Sequence, residues 1–347
     1  MTYAVDPDIT VASTLPGSFY SDAQTFERLK ERVFARSWQW LGSLGDVAEP
    51  ESLAPRTLLP GYLDEPLLLS RDAEGTLRCL SNVCTHRGNI LVHEACRAKQ
   101  IRCGYHSRRF ELDGRMTFMP EFKEAKDFPR PADDLPRLAL HEWAGQGFVA
   151  LDTVVHFEGF LGEALASVAD DPVSRLTHDA SHDRSFDVNA NWALYVENYL
   201  EGFHIPFVHQ SLNQVVDYGT YASELHRYSN LQLAHDKAGQ VAARYWWVFP
   251  NLMLNFYPWG LSLNLVEPRG IDRTRVLFRS FVWDESKLET GAGAGLDRVE
   301  AEDEAIVEAV QHGVRSRLYK HGRYSPTRER GVHHFHRLLC EFLGEED

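Results

Sequence analysis

The chain has 347 residues, 44% of them hydrophobic and 25% charged, the proportions of an ordinary folded protein with a core. That length suits one large domain or two of ordinary size. A formal net charge of −14 argues against nucleic acid or an anionic membrane as partner, and no apolar run approaches the ~18–20 residues of a membrane span.

Met1 to Ser18 carries Asp6 and Asp8, lacks a basic stretch ahead of an apolar one, and is not rich in arginine. No signal or transit peptide is therefore expected, and a cytoplasmic location follows as the expectation. Residues 23–38 place Phe26, Leu29, Val33 and Phe34 at helical spacing between charges, which predicts an amphipathic helix. Residues 41–152 change texture to short β-prone runs such as Leu67–Leu69 and Phe148–Leu151. Turn signals at Asp72–Gly75, Asp113–Gly114 and Gly145–Gly147 separate them, so this region reads as a small all-β domain.

Helical patterns return around 160–169 and 190–203. Strands are predicted at Tyr245–Phe249, Leu252–Tyr257, Leu261–Val266 and Val276–Val282. The Gly/Ala stretch 291–295 reads as a flexible loop before a long acidic helix over 297–319. Helix, antiparallel sheet and helix in that order predict an α+β fold in which helices cover a sheet face. The expected organisation is an N-terminal helical segment over 1–40 packing with the second domain, a β domain over 41–152, and that second domain over 153–347.

The cysteines are Cys79, Cys84, Cys96, Cys103 and Cys340, an odd count that does not suggest a disulfide framework. Two of them fall in pairs with histidine: Cys84-Thr85-His86, then sixteen residues, then Cys103-Gly104-Tyr105-His106. Thiolate and imidazole suit zinc, and they also suit a two-iron cluster with two thiolates on one iron and two imidazoles on the other. Zinc ribbons and fingers usually pair Cys with Cys and His with His. Here each loop mixes the two, so each can give one ligand to each iron. Cys79, Cys96 and Cys340 show no comparable pattern.

A second constellation lies in residues 191–209, NWALYVENYLEGFHIPFVH. Residues three apart share a helix face, so Glu201 and His204 are predicted neighbours. His204 and His209, five apart, diverge by roughly 140° on an unbroken helix. Pro206 between them is expected to break it and let both imidazoles reach one ion. Two histidines with a distant carboxylate make the facial triad that leaves open positions on iron(II). Capping or core histidines are the plainer alternative.

The first motif, with Arg87 and Gly88 after the first pair, resembles the Rieske [2Fe-2S] family. The second resembles the iron motif of Rieske oxygenase catalytic subunits, and together the likeness covers nearly the whole chain. It implies a Rieske domain over 41–152 with Cys84, His86, Cys103 and His106 as cluster ligands. A helix-grip catalytic domain over 153–347 is implied to hold mononuclear Fe(II) on His204 and His209. The third ligand is expected from residues 302–311 (EDEAIVEAVQ), where Asp303 fits the family pattern with Glu308 and Gln311 after it. Glu302 and Glu304 are adjacent competitors. In the family, the acid at Glu201 links an iron-bound histidine to a cluster histidine of the next subunit in a head-to-tail homotrimer.

Two departures stand out. The oxygenases usually continue His-Gly-Trp where this chain has His106-Ser107-Arg108, and the bridging acid is more often Asp than Glu. Asn89 and Tyr105 also stand where respiratory Rieske proteins carry the cysteines of an inter-loop disulfide, so that bridge cannot form here.

The resemblance implies an oxygenase that uses O2 and electrons from a separate flavin/iron-sulfur reductase or ferredoxin. No dinucleotide fingerprint is evident, so NAD(P)H is expected to be oxidised by that partner. The small organic substrate would be hydroxylated or oxidatively demethylated. The aromatic runs 245–247 and 255–259 are candidate pocket walls, with Trp247, Asn255 and Tyr257 the candidate substrate residues. Aromatic faces attract quaternary ammonium groups, and the segment around 197–221 resembles choline-monooxygenase-type members. A ring-hydroxylating oxygenase of an aromatic compound would use the same kind of wall. A Rieske electron-transfer protein without oxygenase activity, or a zinc protein, are the readings from other classes.

Overall fold

The computed structural model describes residues 2–152, 155–288, 290 and 296–344; the loop expected at 291–295 lies outside them. The chain divides into two compact units, Trp38–Thr153 and the combination of Met1–Ser37 with Val154–Asp347.

The first unit is built of strands β1 (Gln39–Ser43), β2 (Ser52–Leu58), β3 (Glu65–Arg71), β4 (Leu77–Ser81) and β5 (Cys96–Arg97). The short β6 (Ile101–Arg102), β7 (Arg109–Phe110) and β8 (Met116–Phe118) come next, and β9 (Arg137–Trp143) and β10 (Gln146–Ala150) close the unit. β1-β10-β9-β4-β3-β2-β5 form one antiparallel sheet, and β6-β7-β8 a second, three-stranded one. Leu68 and Leu80, opposite each other in register, pack with Phe110, Leu112, Leu135 and the two thiols Cys84 and Cys103 in one apolar cluster. The cluster loops thus rest directly on the core of their own unit.

In the second unit the N-terminal pattern resolves into α1 (Ala23–Leu29) followed by a π turn at Lys30–Phe34, rather than one continuous α-helix. The extra residue in that turn lets the adjacent side chains of Val33 and Phe34 both reach the core, where each is fully buried. α2 (Phe157–Ala166), α3 (Trp192–Tyr199), α4 (Ile205–Val208) and α5 (Gln210–Val215) follow. The acidic helix α6 (Leu296–Val314) stops just after Gly313, a weak helix former, five residues earlier than its periodicity predicts. The last helix, α7 (Arg330–Gly344), is strongly amphipathic and went unpredicted.

The antiparallel sheet runs β11 (Thr177–His178), β18 (Arg273–Val282), β17 (Gly260–Gly270), β16 (Leu252–Tyr257), β15 (Val241–Val248), β14 (Ser229–His235) and β13 (Ala222–Leu225), with β12 (Arg184–Val188) also paired to β18. Strand alternation sends Arg244 and Trp246 to the face where the end of α2 lies, bonded to the Ser167 carbonyl and hydroxyl. Tyr245 and Trp247 point to the other face. The Trp247 ring there meets Phe335 of α7 at 5.3 Å, and Phe335 meets Trp192 of α3. The α+β reading of a small β domain and a helix-covered antiparallel sheet is therefore the fold observed. Among the described residues no helix is long and apolar enough to cross a membrane.

Candidate functional site

In the first unit, the two Cys-His segments form matching loops. The Cys84 N–H donates to the Asn89 carbonyl and the Gly88 N–H returns to the Cys84 carbonyl; Cys103, Arg108 and Ser107 repeat both bonds. Gly88 and Ser107 occupy equivalent places and both take positive φ, 69° and 62°. Ser107 thus bears, with a side chain, the left-handed conformation that glycine takes freely.

The loops bring the candidate ligands together. Cys84 and Cys103 are buried and in contact, and the His86 and His106 ring centroids are 4.8 Å apart. His106 Nδ1 is buried without a hydrogen-bond partner among the described residues, as a nitrogen reserved for a metal would be. Burial, then the neighbouring His106, Arg87 and Arg108, hold the His86 imidazole below its ordinary pKa. Burial alone would raise the Cys103 thiol, but the Tyr105 and His106 N–H groups and its other partners bring it below the usual value. Two buried thiols in contact beside two imidazoles in ring contact are the donor set a Rieske cluster needs. Cys79, Cys96 and Cys340 are free thiols.

In the second unit, α3 is capped by Asn191 and ends at Tyr199, short of Glu201. The Glu201–His204 contact therefore arises across a turn and not along a helix face. Glu201 Oε2 accepts from the His204 backbone N–H at 3.1 Å, and Oε1 lies 2.7 Å from His204 Nδ1. A side chain on the intervening Gly202 would lie 2.5 Å from the Tyr221 ring, so only glycine fits the turn. Pro206 does not interrupt a long helix; it sits in the first turn of α4, where a missing N–H costs nothing. α4 is one turn long, and His209 follows it.

His204 Nε2, His209 Nε2 and Asp303 Oδ1 form a triangle with sides of 3.1, 3.0 and 3.5 Å. Ligand atoms at ~2.1 Å from one ion and at right angles would stand ~3 Å apart. The other ring nitrogens are already engaged: His204 Nδ1 on Glu201, and His209 Nδ1 on Glu302 Oε2 at 2.8 Å. With those N–H groups pointed at carboxylates, both Nε2 atoms present lone pairs to each other, which a cation between them would stabilise. The donor set fits an iron of the facial-triad type.

Asp303 comes from α6, and Asn198 Nδ2 donates to its Oδ1 at 2.7 Å. Two further acceptors dock the helix: Glu308 takes the Asn189 N–H, and Gln311 takes the Asn191 N–H at 2.7 Å. Glu302 lies behind His209, and Glu304 is not in the triad. Burial would lower the His209 pKa, yet Asp303 and Glu302 together raise it.

A cavity of about 120 Å³ opens onto the triad, several times the ~10–15 Å³ that one water requires. Its sheet wall follows the strand register: Gln232, Tyr245, Asn255 and Ser262 stand opposite one another on four strands and all face it. Tyr257 lines it too, and Asn255 Oδ1 accepts from Tyr199 Oη at 2.6 Å. Trp247 is a correction. It lies on the same sheet face as Tyr245 but one residue pair further along, where α7 covers it, and it does not line the cavity. Sequence reasoning also passed over Tyr195, Tyr221 and Glu300. Burial pushes the Glu300 carboxyl up to about 8 despite the Tyr195 hydroxyl, which lies 2.8 and 2.7 Å from its two oxygens, and pushes the Tyr195 and Tyr221 phenols well above 10.

Residues 37–129 match the model of the Rieske [2Fe-2S] domain, and residues 174–229 and 219–345 match that of the ring hydroxylating alpha subunit (catalytic domain). The chain belongs to the Rieske non-haem iron oxygenase family. It is 30% identical over 370 aligned positions to the choline monooxygenase, chloroplastic, of Arabidopsis thaliana, covering 96% of this chain and 84% of that one. Among solved structures, a quaternary ammonium Rieske monooxygenase in complex with L-carnitine superimposes with a TM-score of 0.76 at 26% identity, over 96% of this chain and 97% of the other. Naphthalene 1,2-dioxygenase from Rhodococcus sp. shares the fold, with a TM-score of 0.72 at 17% identity over 96% and 95% of the two chains. The protein is thus an oxidoreductase whose Rieske domain serves a [2Fe-2S] cluster and whose oxygenase domain serves a mononuclear iron.

Proposed function

We propose that this chain is the terminal oxygenase of a two-component system that uses O2 to hydroxylate or oxidatively demethylate a small quaternary ammonium compound. The observation that carries the reading is the cavity beside the triad, walled by the phenols of Tyr195, Tyr199, Tyr221, Tyr245 and Tyr257. Neutral aromatic rings attract a quaternary ammonium through their faces, and burial keeps these five phenols un-ionised at neutral pH. The likeness to choline and carnitine enzymes supports the same substrate class.

In this reading Cys84, His86, Cys103 and His106 hold the cluster, and His204, His209 and Asp303 hold the iron. When bound, the cluster supplies single electrons and the iron activates dioxygen. Glu201 and Glu302 fix the tautomer and aim of the two imidazoles, and Asn198 fixes the Asp303 carboxylate. The tyrosine wall keeps the substrate's cationic group against the sheet, next to the triad.

Glu201 is also the proposed link to the cluster of a neighbouring subunit in a head-to-tail homotrimer. Each of the two sites is flanked by exposed aromatic side chains that suit such docking: Tyr105, 62% exposed, beside His106, and Phe203 and Phe207, 41% and 76% exposed, beside His204. Electrons would come from a cytoplasmic flavin/iron-sulfur reductase or ferredoxin that oxidises NAD(P)H.

The test is oxygen uptake by the iron-loaded protein with a surrogate reductase. Choline, carnitine or another betaine should stimulate uptake and yield product in proportion. Stimulation by aromatic acids alone would refute the substrate class.

A further inference from the structure

The second cluster loop carries a charge in an unusual place. Arg108 is 2% exposed, and it holds the position in its loop that Asn89 holds in the first. Asn89 reaches across to the Cys103 sulfur at 3.7 Å. Arg108 instead turns to Asp133, donating through Nη2 to its carbonyl at 3.0 Å and to Oδ1 at 2.9 Å. The same carbonyl accepts Thr85 Oγ1 from the first loop at 2.7 Å. Asp133 is therefore a single anchor for both ligand loops.

The guanidinium is walled off from water by Phe110 and Phe128, whose ring centroids lie 5.7 and 5.6 Å away. Its Nε is buried without a partner among the described residues. The paired carboxylate of Asp133 is more open to solvent, 18% against 2%, so water screens the anion more than the cation. A fixed charge in such low-dielectric surroundings acts strongly on its neighbours. Arg108 stands two residues after His106, its carbonyl accepts the Cys103 N–H, and its partner Asp133 holds Thr85, the residue between Cys84 and His86, so the charge sits against both ligand loops.

We propose that Arg108 sets the reduction potential of the cluster, as a buried cation favouring the reduced form, and that its bond to Asp133 ties the second ligand loop to the first. The proposal rests on the cluster occupying Cys84, His86, Cys103 and His106. Two ferric ions, two sulfides and two thiolates are neutral together, and one electron from the reductase, with no proton, leaves one negative charge. A neighbouring guanidinium stabilises that charge, and Asp133 moderates the effect.

The experiment is a spectroscopic redox titration of the full-length, cluster-loaded protein and its variants. Arg108→Met should retain the cluster's visible absorption while its one-electron reduction equilibrium falls at least tenfold, about 59 mV. Arg108→Lys, which keeps the charge and loses the fork, should recover most of that shift. A change under twofold, about 18 mV, in Arg108→Met would overturn the proposal. Should that variant fail to hold a cluster, Asp133→Asn decides. It keeps the anchoring carbonyl and removes the compensating anion, so its potential should rise, and an unchanged or lower one overturns the role of Arg108. Absence of labile sulfide in the parent protein would instead refute the cluster site itself.

Discussion

Glu302 accepts a 2.8 Å hydrogen bond from Nδ1 of His209, a residue buried to 1% exposure. In the proposed site the acid next to Asp303 would thus serve not as a ligand but as the group that orients the His209 imidazole. Removing such a partner typically weakens metal binding by about 10–100-fold. Glu302→Ala should therefore lower iron affinity by that amount in a competition titration with a chelator, and activity should return at high iron. Complete loss of binding, unrecovered at any iron concentration, would make Glu302 a ligand and contradict the assignment.

Tyr245 faces the cavity with its ring edge-on to Tyr257, centroids 5.8 Å apart. A desolvated cation–aromatic contact contributes about 1–2 kcal/mol. Tyr245→Ala should raise the KM for a quaternary ammonium substrate about fivefold to thirtyfold, while Tyr245→Phe, which keeps the face, should stay within about twofold. Equal effects from the two variants would point to the hydroxyl rather than the ring.

Glu201 is joined to His204 through both its carboxylate oxygens. Glu201→Gln has the same shape but a single acceptor oxygen and no charge, so it keeps at most one of the two accepted bonds. In protein saturated with iron, oxidation of the pre-reduced cluster in a single turnover should slow by roughly tenfold or more. An unaltered rate would remove Glu201 from the electron path.

Burial lowers the His334 imidazole to about 4, against the opposing hydrogen bond to the His226 carbonyl, with Arg337 and Arg227 adding to the fall. A histidine kept neutral by folding leaves the unfolded chain the better proton acceptor. Its contribution to stability is complete above pH ~6.5 and lost progressively as pH falls towards 4, roughly 3 kcal/mol in all. Denaturant titrations should show this acid limb, and His334→Gln should flatten it. An equally steep limb in the variant would place the sensitive group elsewhere.

The site residues most legible in the sequence are those on short, contiguous motifs. Cys84, His86, Cys103 and His106 sit on two tight loops, and His204 and His209 flank one helical turn, so spacing alone brings each set together. In the second sheet β15 to β18 were legible from their β-prone runs, while β11 to β14 went unpredicted. Which residues the former offer the cavity was only partly legible: β16 is buried along its whole length and nearly all apolar or aromatic, whereas on β17 the alternation Leu261-Ser262-Leu263-Asn264-Leu265 marks the cavity face and went unread. Trp247 and Tyr245 share a face, and only the packing of α7 tells them apart. α7 itself was missed although its apolar residues recur at helical spacing. Glu302 and Asp303 are adjacent acids on one helix, and only the direction of each side chain separates positioning from ligation. Arg108 showed in the sequence only as a departure from the family's usual residue.

The two-centre assignment is tested most directly by iron and labile sulfide per chain, in the parent protein and in Asp303→Ala. The parent should hold about three irons and two sulfides. The variant should hold about two irons with the sulfide and visible absorption unchanged, and should form no product. Equal iron in both proteins, or zinc without sulfide, would contradict the assignment.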